Sequence, residues 1–237
     1  VRDPAPVHDD DEPGKFNGKK WVGALLYLSR CTRWDIAEIV GKLARKTSSW
    51  TRKDDRALER VMAYIKCTKE QGLTWSINPQ DYKDGTLWLE MHTDSDHGGD
   101  MTSGKSTTGY MVILRGPLGT QVILDWGSKR QTHVARPVGQ AELQALVDGI
   151  SKSFLYIIML LEELKVYVAT RVRTDSDAAR LGLAKVRTSA MRTMNKTHRL
   201  NLAWVHELVY RTNVINLDRV DTKYNWANYL TKTEHPA

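Results

Sequence analysis

The sequence predicts an α/β fold: a mixed five-stranded sheet flanked by helices and preceded by a small helical unit. Three observations predict it. Apolar residues recur at helical spacing up to Cys67, and from Leu87 they switch to strict alternation. Three β-rich runs then follow one another across short turns, before helix-like and strand-like segments begin to alternate. Finally, the tetrapeptide Thr-Asp-Ser-Asp occurs twice, at 93–96 and 174–177, each time at the end of a strand-like run.

The elements can be taken in order. Residues 1–18 hold Pro4, Pro6, the acidic run Asp9 to Glu12 and Pro13-Gly14, a composition that reads as a flexible linker. Residues 19–72 read as a helical unit without a catalytic constellation. Leu25, Leu28, Ile36, Ile39, Val40 and Leu43 mark its first two helices, and Leu58, Val61, Met62 and Ile65 mark the third. Residues 73–237 form the sheet domain. Strands are expected at Leu87 to Thr93, Tyr110 to Leu114 and Gln121 to Trp126, followed by a long helix from Gln140 whose stripe is Leu143, Leu146, Val147 and Ile150. A fourth strand spans Val166 to Thr174, with a short helix after Ser176. A basic segment leads into a helix near Leu200 to Tyr210, then a strand at Val214 to Val220 and a helix at Trp226 to Lys232. With helices as crossovers, strand four returns parallel to strand one.

Bulk properties narrow the function. The 41% hydrophobic content supports a packed core and argues against global disorder. The most apolar stretch, Phe154 to Leu161, is too short to span a bilayer and runs into Glu162 and Glu163, so no membrane partner is expected. The chain opens on Val1 without a signal peptide and is expected to be a fragment of a longer protein. Lys and Arg total 35 against 28 Asp and Glu, a net charge of +7 that favours polyanionic partners. Cys31 and Cys67 lack zinc-ligand spacing and read as two buried thiols in a reducing compartment.

The repeated tetrapeptide carries the chemistry. In open sheets, sites gather at the carboxyl ends of parallel strands. Adjacent parallel strands would therefore place Asp94 beside Asp175. Carboxylates that close repel each other unless a cation intervenes, and Mg²⁺ or Mn²⁺ suits oxygen ligands. Glu142, one turn before Leu146 at the edge of the buried stripe, is expected to be the third group. Two other motifs occur nearby. Gly99 to Gly104-Lys105-Ser106 fits the phosphate-loop pattern, but the β-branched run after it favours a strand where that loop needs a helix. Asp94-Ser95-Asp96 matches the Asp-x-Asp of sugar-nucleotide transferases, with nothing else in support.

The order of motifs resembles the C-terminal part of copia-type retrotransposon polyproteins, the end of the reverse transcriptase region plus the ribonuclease H domain. The stretch Trp21 to Arg33, then Asp35-Ile36-Ala37 and Lys66-Cys67-Thr68-Lys69 with Gly72-Leu73, resembles the text after the polymerase. Thr93 to Asp96 with Gly99-Asp100, Ser106 to Tyr110, Trp126 to Gln131, Ala141-Glu142, Leu161 to Leu164 and Ala227 to Lys232 resemble the nuclease in order. No Tyr-x-Asp-Asp polymerase motif occurs, so polymerisation is not expected of this chain.

The resemblance implies a ribonuclease H-like fold and a magnesium-dependent endonuclease acting in reverse transcription. Its implied substrate is the RNA strand of RNA–DNA hybrids, with two Mg²⁺ or Mn²⁺ ions held by Asp94, Glu142 and Asp175. It also implies an upstream reverse transcriptase region as partner, and a cytoplasmic retrotransposon particle or the nucleus as location. The family's fourth carboxylate falls at Asn228, which points to reduced activity, and Pro137 to Gln140 replaces a Ser-Ser-Thr-Glu run. His198 is either a proton shuttle or a surface histidine. Lys185, Arg187, Arg192, Lys196 and Arg199 are candidate phosphate contacts, which position without reading sequence. The rival expectation is a catalytically degenerate ribonuclease H fold that binds nucleic acid or braces a polymerase.

Overall fold

The computed structural model describes residues 9–100, 103–135, 138–185 and 202–232. The chain divides into two compact units, Val1–Leu73 and Thr74–Ala237.

The first unit is helical: α1 (Gly18–Cys31), α2 (Ala37–Ala44) and α3 (Arg52–Cys67). Its core is the expected stripe, with Val22, Leu25, Ile36, Val40, Leu43, Leu58 and Val61 packed together. Residues 9–17 depart from the linker expectation by folding onto the start of α3. Buried Asp55 accepts the amides of Lys15 (2.6 Å) and Phe16 (3.2 Å) and the indole N–H of Trp50 (2.7 Å). The Arg52 amide donates to the Glu12 carbonyl at 2.9 Å. An acidic, proline-containing stretch is held here by an inward-facing carboxylate that composition does not reveal. Cys31 and Cys67 are free and exposed, correcting the expectation of buried thiols. Both end their helices, where the apolar stripe has already turned away.

The second unit holds a five-stranded sheet of order β3-β2-β1-β4-β5. Its strands are β1 (Trp88–Asp100), β2 (Lys105–Arg115), β3 (Gln121–Arg130), β4 (Ala169–Thr174) and β5 (Asn216–Arg219). β1, β2 and β3 form an antiparallel meander, whereas β4 pairs parallel with both β1 and β5. This is the mixed five-stranded sheet that the sequence predicts. A short helix, α4 (Pro79–Lys83), precedes it. Fully buried Asp81 on that helix accepts from the amides of Leu118 (3.0 Å) and Thr120 (3.2 Å) and so pins the β2–β3 turn. Lys105 and Ser106 lie in β2, so the phosphate-loop pattern has no helix behind it.

The helices are α5 (Val138–Gly149), which continues through one π-helical stretch (Ile150–Phe154) into α6 (Leu155–Glu163), then α7 (Asp177–Ala184) and α8 (Leu202–Tyr210). By length and composition Gly139–Glu163 could cross a membrane, against the expectation that no run is long enough. Its most apolar stretch is 56% buried in the fold, which makes it a core helix. Leu143, Leu146, Ile150 and Phe154 pack with Leu89 and Met91 of β1 and Val172 of β4. Because side chains alternate along a strand, Glu90, His92 and Asp94 face the opposite side. A 3₁₀ segment, Trp226–Leu230, covers that side in place of the expected helix to Lys232.

Candidate metal centre at the junction of β1, β4 and α5

Register places the carboxylates. The parallel ladder between β1 and β4 ends at Thr93↔Thr174, so Asp94 and Asp175 are the next residues on neighbouring strands. β1 does not end at Asp94 as expected; it runs on to Asp100 in the hairpin with β2, where Asp94 sits opposite Gly109. Asp94 is 3% exposed and Glu142, in the first turns of α5, is 8% exposed.

Burial and mutual repulsion set the charge state. Burial pushes the Glu142 carboxyl up to about 8, reinforced by the charges of Asp94 and Asp175 and opposed by Ser95 beside it. Asp94 rises to about 6, chiefly through burial, with the Asp175 charge adding to it. The Thr231 hydroxyl and the charge of Lys232 pull it back. Glu142 thus feels the charges of both aspartates, and Asp94 feels that of Asp175. Glu142 Oε2 is buried without a hydrogen-bond partner. Such an orphaned oxygen is costly unless something binds it.

A hard divalent cation fits this chemistry, since the donors are carboxylate oxygens with a partnerless lone-pair site. The arrangement is open, however. Among the described residues, no three His, Cys, Asp or Glu side chains come together closely enough to hold a metal ion unaided.

Asn228 takes no part in the carboxylate cluster. Its amide donates to the Thr222 carbonyl at 2.5 Å and its oxygen accepts from Lys232 Nζ at 3.0 Å. Lys185 is exposed at the end of α7. His198, Arg187, Arg192, Lys196 and Arg199 lie outside the described residues.

The same C-terminal segment supplies groups that the sequence did not single out. Thr231 Oγ1 donates to Asp94 Oδ2. Asn225 Nδ2 donates to both the Thr93 carbonyl (2.9 Å) and Asp175 Oδ1 (3.2 Å). Thr231 and Lys232 fall inside the Ala227 to Lys232 motif and could have been found there; Asn225 lies outside it.

No protein-family model matches the chain. The chain is 29% identical over 233 residues to the retrovirus-related Pol polyprotein from transposon TNT 1-94 of Nicotiana tabacum, covering 97% of this chain and 16% of that one. Against the polyprotein from transposon RE2 of Arabidopsis thaliana it is 32% identical over 158 residues, covering 67% of this chain and 10% of that one. It is also 33% identical over 132 residues to secreted RxLR effector protein 161 of Plasmopara viticola, covering 56% of this chain and 85% of that protein. Among solved structures, LC11-RNase H1 superposes on 61% of this chain and 92% of its own, with a TM-score of 0.41 and 16% identity. The chain thus spans a sixth or less of the plant polyproteins it matches.

Proposed function

We propose that the ribonuclease H-like domain of this chain, which is similar to retrovirus-related Pol polyproteins from plant transposons, is a metal-dependent endonuclease. It would cut the RNA strand of RNA–DNA hybrids during reverse transcription. The observation that carries this reading is the placement of Asp94 on β1 next to Asp175, the residue after β4, with Glu142 of α5 near enough to feel both charges. Two of them are raised above the ordinary carboxylate range by burial and by their neighbours' charge.

Asp94, Glu142 and Asp175 would hold two Mg²⁺ or Mn²⁺ ions, which when bound activate a water and stabilise the leaving oxygen of an in-line displacement. The chain's own part is to hold and orient those oxygens. Thr231 fixes one oxygen of Asp94, and Asn225 fixes one oxygen of Asp175. The net charge of +7 would draw in the hybrid's phosphates, and the upstream polymerase region of a longer polyprotein would deliver the hybrid. The test is cleavage of an end-labelled hybrid with Mg²⁺ or Mn²⁺ by the parent chain and by Asp94→Asn and Asp175→Asn. Single-stranded RNA should be spared, because a duplex is read by shape and backbone. Cleavage that persists in EDTA would remove the metal from the mechanism.

One observation favours a second reading, a fold that binds hybrids without cutting them. Asn228, where the family resemblance puts a fourth carboxylate, spends its side chain on Thr222 and Lys232. Hybrid binding without cleavage at any Mg²⁺ or Mn²⁺ concentration would select it.

A further inference from the structure

Asn225 has the environment of a working residue. It is 2% exposed, and each polar atom of its side chain is used. Its oxygen caps the following 3₁₀ segment by accepting from the Ala227 amide at 3.2 Å. Its two N–H bonds go elsewhere, one to the Thr93 carbonyl and one to Asp175 Oδ1. A cap needs only the oxygen. The amide hydrogens instead join the backbone immediately before Asp94 to the carboxylate of Asp175.

The segment that carries Asn225 is itself fastened to β1. The His92 Nδ1 accepts from the Trp226 amide at 3.4 Å, while His92 Nε2 meets Glu90 Oε1 at 2.8 Å. Glu90 is held in turn by Arg115 (3.0 Å) and Arg173 (3.1 Å). With its Nε2–H directed at an ionised Glu90, the imidazole presents Nδ1 as an acceptor, so the tautomer follows from the partner. On the other side, Gly109 allows close approach: a Cβ there would lie 2.7 Å from Thr231 Cγ2 and 2.9 Å from the Ala227 carbonyl. Asn225 therefore stands on a fixed platform.

We propose that Asn225 is a positioning residue. It holds Asp175 at a set distance from Asp94, through its bridge from the Thr93 carbonyl to Asp175 Oδ1, on a platform anchored by the Glu90–His92 pair. The inference rests on the metal-centre reading for its consequence but on the hydrogen bonds for its geometry. Two oxygens of a divalent site that are each held by a hydrogen bond need less ordering when the ion binds, and loss of such outer partners typically costs 10–100-fold in metal affinity or activity.

The experiment has two arms, both on the full chain. In the metal-free protein, the side-chain amide protons of Asn225 are assigned by their disappearance from nitrogen–proton correlation spectra of Asn225→Ser. Asp175→Ala should then shift one of the two protons strongly and leave its partner, bonded to Thr93, nearly in place. If neither proton moves, or both move equally, the bridge does not exist and the proposal falls. In the second arm Asn225→Ser keeps a capping oxygen but cannot reach Asp175. Its Mg²⁺ affinity by calorimetry should fall about 10-fold or more, with kcat on the hybrid falling alongside while KM stays near the parent's. Parental affinity and kcat in a folded Asn225→Ser would overturn the proposal. If that variant does not fold, the Asp175→Ala spectrum decides alone, since it leaves Asn225 in place. A parent that cuts no hybrid defeats the nuclease reading but leaves the spectrum and the metal titration to judge Asn225.

Discussion

The carboxylate cluster should make the metal-free protein less stable than it could be, and Glu142→Gln measures by how much. Glu142 has an ordinary pKa of 4.5 and is pushed to about 8 by burial and by Asp94 and Asp175. Between those values the folded chain binds a proton that the unfolded chain has released. Stability therefore falls as pH rises through this window and levels off above about 8. At pH 7 the difference between unfolded and folded pKa contributes a cost of roughly 3 kcal/mol, from about 1.4 kcal/mol per pH unit. At pH 5 the same arithmetic gives about 1 kcal/mol.

Glutamine keeps the shape and the acceptor oxygen without a charge to lose. In EDTA, urea denaturation should show Glu142→Gln close to the parent at pH 5 and about 3–4 kcal/mol more stable at pH 8, with unchanged m-values. Saturating Mg²⁺ should then narrow the gap by stabilising the parent alone, as any ligand of the folded state does. Curves for the two proteins that superimpose at both pH values would show that Glu142 is not under repulsion, and the account of the site would fail with it.

Three further outcomes follow from the same geometry. Gly109→Ala forces a Cβ against Thr231 Cγ2 and the Ala227 carbonyl. It should cost about 1–3 kcal/mol and raise the Mg²⁺ needed for hybrid cleavage, and an unchanged melting temperature would show that the segment yields freely. Glu90→Gln leaves Arg115 and Arg173 without their buried partner and should destabilise by roughly 3–5 kcal/mol in thermal melts at pH 7. Near pH 2, the value to which the surrounding His92, Arg115 and Arg173 bring the Glu90 carboxyl against the pull of burial, the parent should lose that advantage. Asn228→Asp loses the bond to the Thr222 carbonyl, about 1 kcal/mol, yet should lower the Mg²⁺ required for half-maximal cleavage. Identical metal titrations would place position 228 outside the reaction.

The sheet and the side-by-side placement of Asp94 and Asp175 were legible because β-branched runs and a repeated tetrapeptide are local signals. Glu142 was legible for a related reason, as a carboxylate set one turn from a buried leucine. What was missed depends on contacts distant in sequence. β1 extends past Asp94 because Lys105 to Thr108 pair with it. The stretch before α1 folds because Asp55, some 40 positions on, receives its amides. Asn225 was invisible for a subtler reason. A polar residue ahead of a helical pattern is already explained as a cap, and it is one; nothing local says that its two amide hydrogens reach the Thr93 carbonyl of β1 and the carboxylate that follows β4.

The C-terminal segment therefore contributes more to the site than the carboxylate missing from position 228. Thr231 donates to Asp94, Asn225 to Asp175, and Lys232 lowers the cost of charge on Asp94. Asn228 serves that arrangement, because its oxygen is the acceptor for Lys232 Nζ. With the amide in place, the lysine is steered by a neutral dipole and keeps its full charge for the aspartate. A carboxylate there would compete with Asp94 for the same lysine. On the metal-centre reading, the amide at position 228 forgoes a metal-binding charge and leaves Lys232 to offset the charge of Asp94.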